Sequence, residues 1–261
     1  MRRLCLHLCS LCLCLHLRNL RLHLPPTWPP TTFHFEAMAY PENPNPPAKV
    51  ETDYYNLAPI FFDIETEALP DEELKHDLPF FEAPSTWKDP QKIAAHVEKK
   101  RLDYVEKAAL SPLTGRVLAI GIASDKDGQG VFEGAEDYLL AEFWKYFRHN
   151  NEAQWVGHNT HSFDWPFLIK RSWKLGIGVP SGIKDGRWYR ANLRDTMEMF
   201  TGGSYGERIS LDRLGRFLGV GDKGGQSGAH FAETYHNDKA AAIEYLYNDL
   251  ALTQAVFERM I

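Results

Sequence analysis

The chain has 261 residues, of which 44% are hydrophobic and 25% are charged, and its formal net charge is −6. This composition is that of a globular protein with a full core, and it excludes a generally basic coat for nucleic acid while leaving room for local basic grooves. The cysteines all lie within residues 5–14. The rest of the chain therefore needs no disulfide or cysteine ligand, which suits a reducing cytoplasm.

Residues 1–37 differ from the rest of the chain, because Leu, Cys, His and Arg nearly alternate over residues 1–24. Three interpretations are open: a signal peptide beginning at Arg2 and Arg3, a Cys/His metal-binding tract, or a disordered or mis-annotated extension before Met38. We favour the third, because polar residues interrupt the apolar run and the cysteine spacing matches no common zinc site. The segment is too short and too polar for a transmembrane helix, so no membrane association is expected.

A Pro-rich lead-in follows, so residues 1–57 are taken as extension and residues 58–261 as the folded domain. Strands are predicted at residues 58–64, an apolar and aromatic run, and at 116–124, 130–133, 154–158 and 194–197. Helices are predicted at residues 91–109, 135–148, 163–174, 211–218 and from 239 to the end, with Ser162, Ser210 and Asp238 as N-caps and Gly219 as a stop. This order predicts an α/β fold, a mixed central sheet flanked by helices.

Three short motifs carry acidic residues. Asp63 and Glu65 are two apart on a predicted strand, so both carboxylates point to the same side. Asp164 follows a later strand, at the end where ligand sites collect in open α/β sheets. Tyr245 and Asp249 share one face of the last helix. Each motif alone fits a solvated or capping residue, so the argument rests on their combination.

In this order and context, FFDIET, HNTHSFDWPFL and YLYND resemble the motifs of the DEDD exonucleases of the ribonuclease H-like fold, in their tyrosine-bearing branch. The phrase GHN…FDWPFL looks most like the exonuclease domain of family-B DNA polymerases and its free-standing relatives. The resemblance covers about residues 58–261. It implies a ribonuclease H-like fold and a metal-dependent 3′-5′ exonuclease that releases nucleoside monophosphates.

The resemblance also implies roles for the motif residues. Two divalent cations, Mg²⁺ or Mn²⁺, would be bound. One would be held by Asp63, Glu65 and Asp249 beside the attacking water, and the other mainly by Asp63. Asp164 would support the second ion, and the hydroxyl of Tyr245 would orient the water.

Other residues are expected to contact the nucleic acid: Thr66, Asn159, Phe163, Lys170, Arg171, Arg187, Arg190 and Lys223. Several of them belong to the stretch 168–194, in which basic residues greatly outnumber the single acidic residue and aromatic residues are interleaved. Alternatively, these rings belong to the core and the charges merely surround them. The segment at about 68–113 is longer than in compact members of the family. Basic residues outnumber acidic ones over residues 87–116, so this part would guide DNA, bind a partner or be a solvated elaboration.

The motifs leave the substrate open. We favour DNA over RNA because of the family-B-like phrase, since the acids alone do not distinguish the two and a 2′-hydroxyl contact would. A non-catalytic nucleic-acid-binding module on the same fold is the rival from another class. A polymerase or a replication or repair protein acting in trans is the implied partner.

Overall fold

The computed structural model describes residues 57–180, 192–202, 208–225 and 228–261. The predictions for the N-terminal extension, apart from Leu57, and for Arg187 and Arg190 therefore lie outside the described residues. Among the described residues, no helix combines the length and the apolar character that crossing a membrane requires.

A five-stranded sheet in the order β3-β2-β1-β4-β5 forms the centre of the fold. Its strands are β1 (Pro59–Ala68), β2 (Gly115–Ser124), β3 (Gly128–Glu133), β4 (Gln154–Gly157) and β5 (Leu193–Asp195). The first three strands pair antiparallel, whereas β4 pairs parallel with both β1 and β5. The predicted mixed sheet flanked by helices is therefore confirmed.

Eight α-helices surround the sheet in the described part of the chain. They are α1 (Asp71–Leu74), α2 (Pro90–Glu106), α3 (Glu136–His149), α4 (Asp164–Lys174), α5 (Thr196–Thr201), α6 (Leu211–Leu218), α7 (Phe231–Asn237) and α8 (Lys239–Met260). The predicted caps of α6 and α8 are confirmed, because Ser210 accepts from the Arg213 N–H and Asp238 from the Ala241 N–H. Gly219 ends α6 in the left-handed conformation that its lack of a side chain favours.

Side chains of β1 alternate between the two faces of the sheet. Phe62 and Ile64 belong to the core formed with α3 and α4, where the Phe62 ring contacts Trp155 and Trp165 edge-on. Phe61 lies in the opposite core, against α8. Burying each large apolar side chain contributes about 1.5–3 kcal/mol, so this alternation fixes which face of β1 meets α8.

The segment between β1 and β2 holds α1, α2 and a 3-10 turn at Ala108–Leu110. Its base is attached next to β1, because the Leu69 N–H donates to the Thr114 carbonyl at 2.8 Å and the Thr66 hydroxyl donates to the Ala109 carbonyl at 2.7 Å. No residue of α2 is fully buried, so this helix lies outside the core.

Some local predictions were wrong. Ser162 does not cap α4, because the residue before that helix is Phe163 and no side chain caps it. Residues 194–197 were expected as strand, but Asp195 ends β5 and its side chain caps α5. Helix α7 was not predicted.

Candidate active site

Three acids that are distant in sequence meet on the α8 side of the sheet. Asp63 and Glu65 on β1 and Asp249 on α8 each offer a carboxylate oxygen, and these oxygens lie within 4.8 Å of one another. Tyr245, one helical turn before Asp249, hydrogen-bonds to its carboxylate. The structure thus places three acids and the tyrosine in one cluster.

Asp164 also contacts this cluster. It begins α4 and is buried, and its Oδ1 accepts a hydrogen bond of 3.1 Å from the Ile64 N–H, between Asp63 and Glu65. A side-chain hydrogen bond also links it to Asp63. The carboxylate of Asp164 is therefore fixed to the backbone of β1, the strand that carries Asp63 and Glu65.

The electrostatics of the cluster favour a cation. Burial, followed by the charge of Asp249, raises the pKa of Asp63 to about 7. Burial also raises the pKa of Glu65 and of Asp164 well above its ordinary value, and the charge of Asp63 adds to the rise in both. Buried like charges of this kind are stabilised by a proton or by a positive ion between them.

Lys223 supplies one positive charge to the cluster. Its Nζ lies 2.5 Å from Asp249 Oδ2 and 3.1 Å from the Tyr245 hydroxyl oxygen. The Lys223 backbone N–H donates to Asp212 Oδ1 at 3.0 Å, which fixes the Gly-rich loop to α6. One ammonium does not neutralise four carboxylates, so room for added positive charge remains.

Close packing of α8 against β2 brings Asp249 to Asp63. Gly121 pairs with Asp63 in the sheet, and a Cβ at Gly121 would lie 2.8 Å from Leu246 Cγ. The missing side chain therefore sets the separation of helix and strand. A register shift between Glu65 and Thr66 follows on β1, and such irregularities are frequent beside active sites.

A cavity of about 650 Å³ opens over the acids, within the size range of ligand sites. Its lining includes Asp63, Asp249, Lys223, Asn159 and His158. The buried side-chain Oδ1 of Asn159 has no hydrogen-bond partner among the described residues. It is an unsatisfied acceptor on a cavity-lining residue, and it is shielded from solvent.

His158 was missed as a site residue by the sequence reasoning. Its Nε2 lies 2.9 Å from the Ile209 carbonyl and its Nδ1 lies 2.8 Å from the Thr196 hydroxyl. Because a carbonyl only accepts, the proton is on Nε2, and burial lowers the pKa of the imidazole. A neutral His158 therefore joins two segments of the cavity wall.

Asp195 was also missed, and it shapes the loop before α4. Its Oδ1 accepts from the N–H groups of Asn159 and Met197, and its Oδ2 accepts from the N–H of His161. Asn159 has a φ of 60°, which is uncommon for a residue with a side chain, and the bond from its N–H to Asp195 holds it there. Asp195 also lies near Glu198 and His161, but its own oxygens already accept these backbone bonds.

The predicted nucleic-acid contacts lie in different surroundings. Asn159 and Lys223 line the cavity, and the Thr66 hydroxyl is bonded to the Ala109 carbonyl. The Phe163 ring packs against the core, 5.5 Å from that of Phe167. Lys170 is exposed on α4.

Arg171 requires a correction. Its side chain is only 4% exposed, and it donates through Nε and Nη2 to Glu136 at 2.9 and 2.7 Å. A third bond runs to the Pro112 carbonyl. A guanidinium buried in this way joins α4 to α3 and does not face a nucleic acid.

Comparisons with known proteins show the family of the chain. Residues 114–261 match a family described as a predicted 3′-5′ exonuclease related to the exonuclease domain of PolB. The matched range contains Asp164, Tyr245 and Asp249 and begins after Asp63 and Glu65.

Two individual proteins are also similar. An uncharacterized protein of Methanocaldococcus jannaschii is 27% identical over 173 residues, which cover 62% of this chain and 95% of that protein. The family B DNA polymerase of Pyrobaculum calidifontis has a similar fold, with a TM-score of 0.52 and 20% identity over 84% of this chain. The chain spans only 25% of the polymerase's length.

Proposed function

Because the chain belongs to this family of predicted 3′-5′ exonucleases related to the exonuclease domain of PolB, we propose that it shortens single-stranded DNA from the 3′ end. The products are nucleoside 5′-monophosphates. The convergence of Asp63, Glu65 and Asp249 within 4.8 Å is the observation that carries the proposal.

The donor set fits divalent cations. Carboxylate oxygens are the ligands that Mg²⁺ and Mn²⁺ prefer, and the raised pKa of Asp63 reflects a site that gains from added positive charge. Asp63, Glu65 and Asp249 would hold one ion, and Asp63 with Asp164 a second. When bound, the ions would activate water and stabilise negative charge on the phosphate and on the leaving oxygen.

The chain's own groups then act on the substrate. Asn159 and Lys223, which line the cavity over the acids, hold the terminal nucleotide there. The Tyr245 hydroxyl, already fixed by Lys223 and Asp249, orients the attacking water. The attacking water gives up a proton and its oxygen forms a bond to phosphorus, while the bond from phosphorus to the 3′ oxygen breaks and that oxygen takes up a proton.

A degradation assay tests the proposal. We expect a 5′-labelled single strand to shorten stepwise in Mg²⁺ or Mn²⁺, and to persist in chelator or when its 3′ end is blocked. Asp63→Asn should abolish shortening, whereas Glu152→Gln, a change at an exposed acid, should leave it intact. Metal-dependent activity that survives in Asp63→Asn would overturn the assignment.

A matched RNA strand identifies the substrate. Faster shortening of RNA than of DNA would make the protein an exoribonuclease with the same site. Binding of either strand without shortening would instead identify a non-catalytic module. Adding the protein to a polymerase that lacks proofreading would test for a partner in trans, with a lower error rate as the expected result.

A further inference from the structure

Two aromatic side chains form a pair on the surface beyond the cavity. Phe200 near the end of α5 and Phe217 near the end of α6 have ring centroids 5.5 Å apart at an interplanar angle of 73°. Phe217 is 70% exposed and Phe200 is 37% exposed. Most of Phe217 therefore remains open to solvent, whereas Phe200 is partly covered.

Both helices lead to this pair from the wall of the cavity. Met197 lines the cavity and precedes Phe200 by one helical turn, and Leu211 lines it and precedes Phe217 by six residues. Six helical residues span about 9 Å. This is the length of about two to three stacked nucleotides at about 3.4 Å each.

Positive charges accompany the rings. Arg208 lines the cavity and, like Arg213, is exposed and forms no ion pair with any described residue. Arg216, in contrast, is paired with Asp212 at 2.5 Å. Open aromatic faces beside uncompensated cations are the combination that binds single-stranded nucleic acid, the rings stacking on bases and the cations meeting phosphates.

We propose that Phe200 and Phe217 form a stacking platform for the bases that precede the terminal nucleotide, with Arg208 and Arg213 at their phosphates. The position of the terminal nucleotide in the cavity rests on the proposed function. The bases of a duplex are already stacked and paired, so the platform selects single-stranded tails. It recognises nucleic acid in a sequence-tolerant way, because every base has a π face.

Equilibrium binding separates the platform from catalysis. The full chain is titrated in chelator, so that no strand is cut, against a fluorescent single strand of about 12 nucleotides. Because base stacking contributes about 1–3 kcal/mol, Phe217→Ala should weaken binding by about tenfold. Phe217→Trp should retain the affinity, whereas Phe217→Leu, which keeps apolar character without a ring, should not.

Two controls test whether the loss of affinity is specific to this surface and to strands long enough to reach it. Tyr138→Ala removes a ring that is 59% exposed on α3, across the sheet from the cavity, and should not change the affinity. A competing nucleoside 5′-monophosphate fills only the position of the terminal nucleotide and should bind wild type and Phe217→Ala equally. Arg213→Gln should reduce the slope of log affinity against log salt by about 0.7, the value for one phosphate contact on a single strand.

The outcomes also separate the two proposals. Unchanged affinity of Phe217→Ala for the long strand would overturn the platform, as would equal weakening for the nucleoside monophosphate. A change in oligomeric state in Phe217→Ala with unchanged DNA affinity would assign the rings to a contact between copies of the chain. If the platform results hold but wild type cuts no strand in Mn²⁺, the platform stands and the exonuclease proposal falls.

Discussion

Gly121→Ala tests whether the approach of α8 to the sheet sets the geometry of the acids. The added Cβ would lie 2.8 Å from Leu246 Cγ, 3.0 Å from Leu246 Cδ1 and 3.0 Å from Leu250 Cδ1. Both leucines are 0% exposed, so they have no free space to enter. Overpacking of this kind costs about 1–3 kcal/mol, which corresponds to a melting temperature lower by roughly 2–12 °C in a domain of this size.

The same change should lower activity more than the loss of stability explains. Relief of the contact moves α8 outward and takes Asp249 with it, and a displacement of about 1 Å costs roughly 100-fold in rate. Thermal melting and the shortening of a 5′-labelled strand measure the two effects. Adding Leu246→Ala makes room for the new methyl group, so the double variant should be more stable than the two single effects summed. A melting temperature and rate equal to those of wild type in Gly121→Ala would refute the reasoning.

Three further predictions concern charges. Lys223→Met removes a cation that competes for Asp249, so calorimetric titration should show Mn²⁺ binding tighter by on the order of tenfold while activity falls. The folded-state pKa of Asp63 is raised to about 7. Its stabilising proton is therefore fully present below about pH 4 and lost as the pH rises through about 7. Thermal melts between these values should show the metal-free protein losing stability, less steeply in Asp63→Asn, with Mg²⁺ restoring it at the upper end. Arg171→Met should destabilise the protein by about 3–5 kcal/mol in denaturant titrations, because it leaves the Glu136 carboxylate, whose side chain is only 10% exposed, without its cation. Lys170→Met should stay within about 0.5 kcal/mol.

The sequence predicted the parts of the fold that depend on local pattern. Strands β1 to β4 fall where strands were predicted, whereas β5 overlaps the predicted strand only at Arg194 and Asp195. The two-residue spacing of Asp63 and Glu65 placed both on one face. Ser210, Gly219 and Asp238 ended or began helices as their conformational preferences require. These features depend on residues only a few positions apart, so they can be predicted from the sequence alone.

The predictions that were wrong or missed concern residues whose contacts with distant partners override their local preferences. Ser162 has the chemistry of an N-cap, but its N–H and that of Phe163 both bond to the Asn159 carbonyl, so a turn occupies the place of the cap. Arg171 lies in a basic stretch, and only the tertiary structure shows that Glu136 accepts its donors. In the sequence Gly121 looks like an ordinary glycine of a strand, and only the structure shows that α8 packs directly against it.

The side chains of the candidate site are held by two kinds of structure, regular secondary structure and loops. The acids stand on regular structure, with Asp63 and Glu65 on the central strand, Asp249 on α8 and Asp164 bonded to the Ile64 N–H. The groups proposed to hold the nucleotide are instead carried by loops.

Each of those loops is fixed by one carboxylate away from the metal ligands. Asp195 accepts from the Asn159 N–H, and Asp212 accepts from the Lys223 N–H. Rigid elements hold a constellation more closely than loops do, so the ion geometry is the more constrained part. The substrate-facing part can then adjust to successive nucleotides while the acids stay in place, as repeated cleavage of a strand of mixed sequence requires.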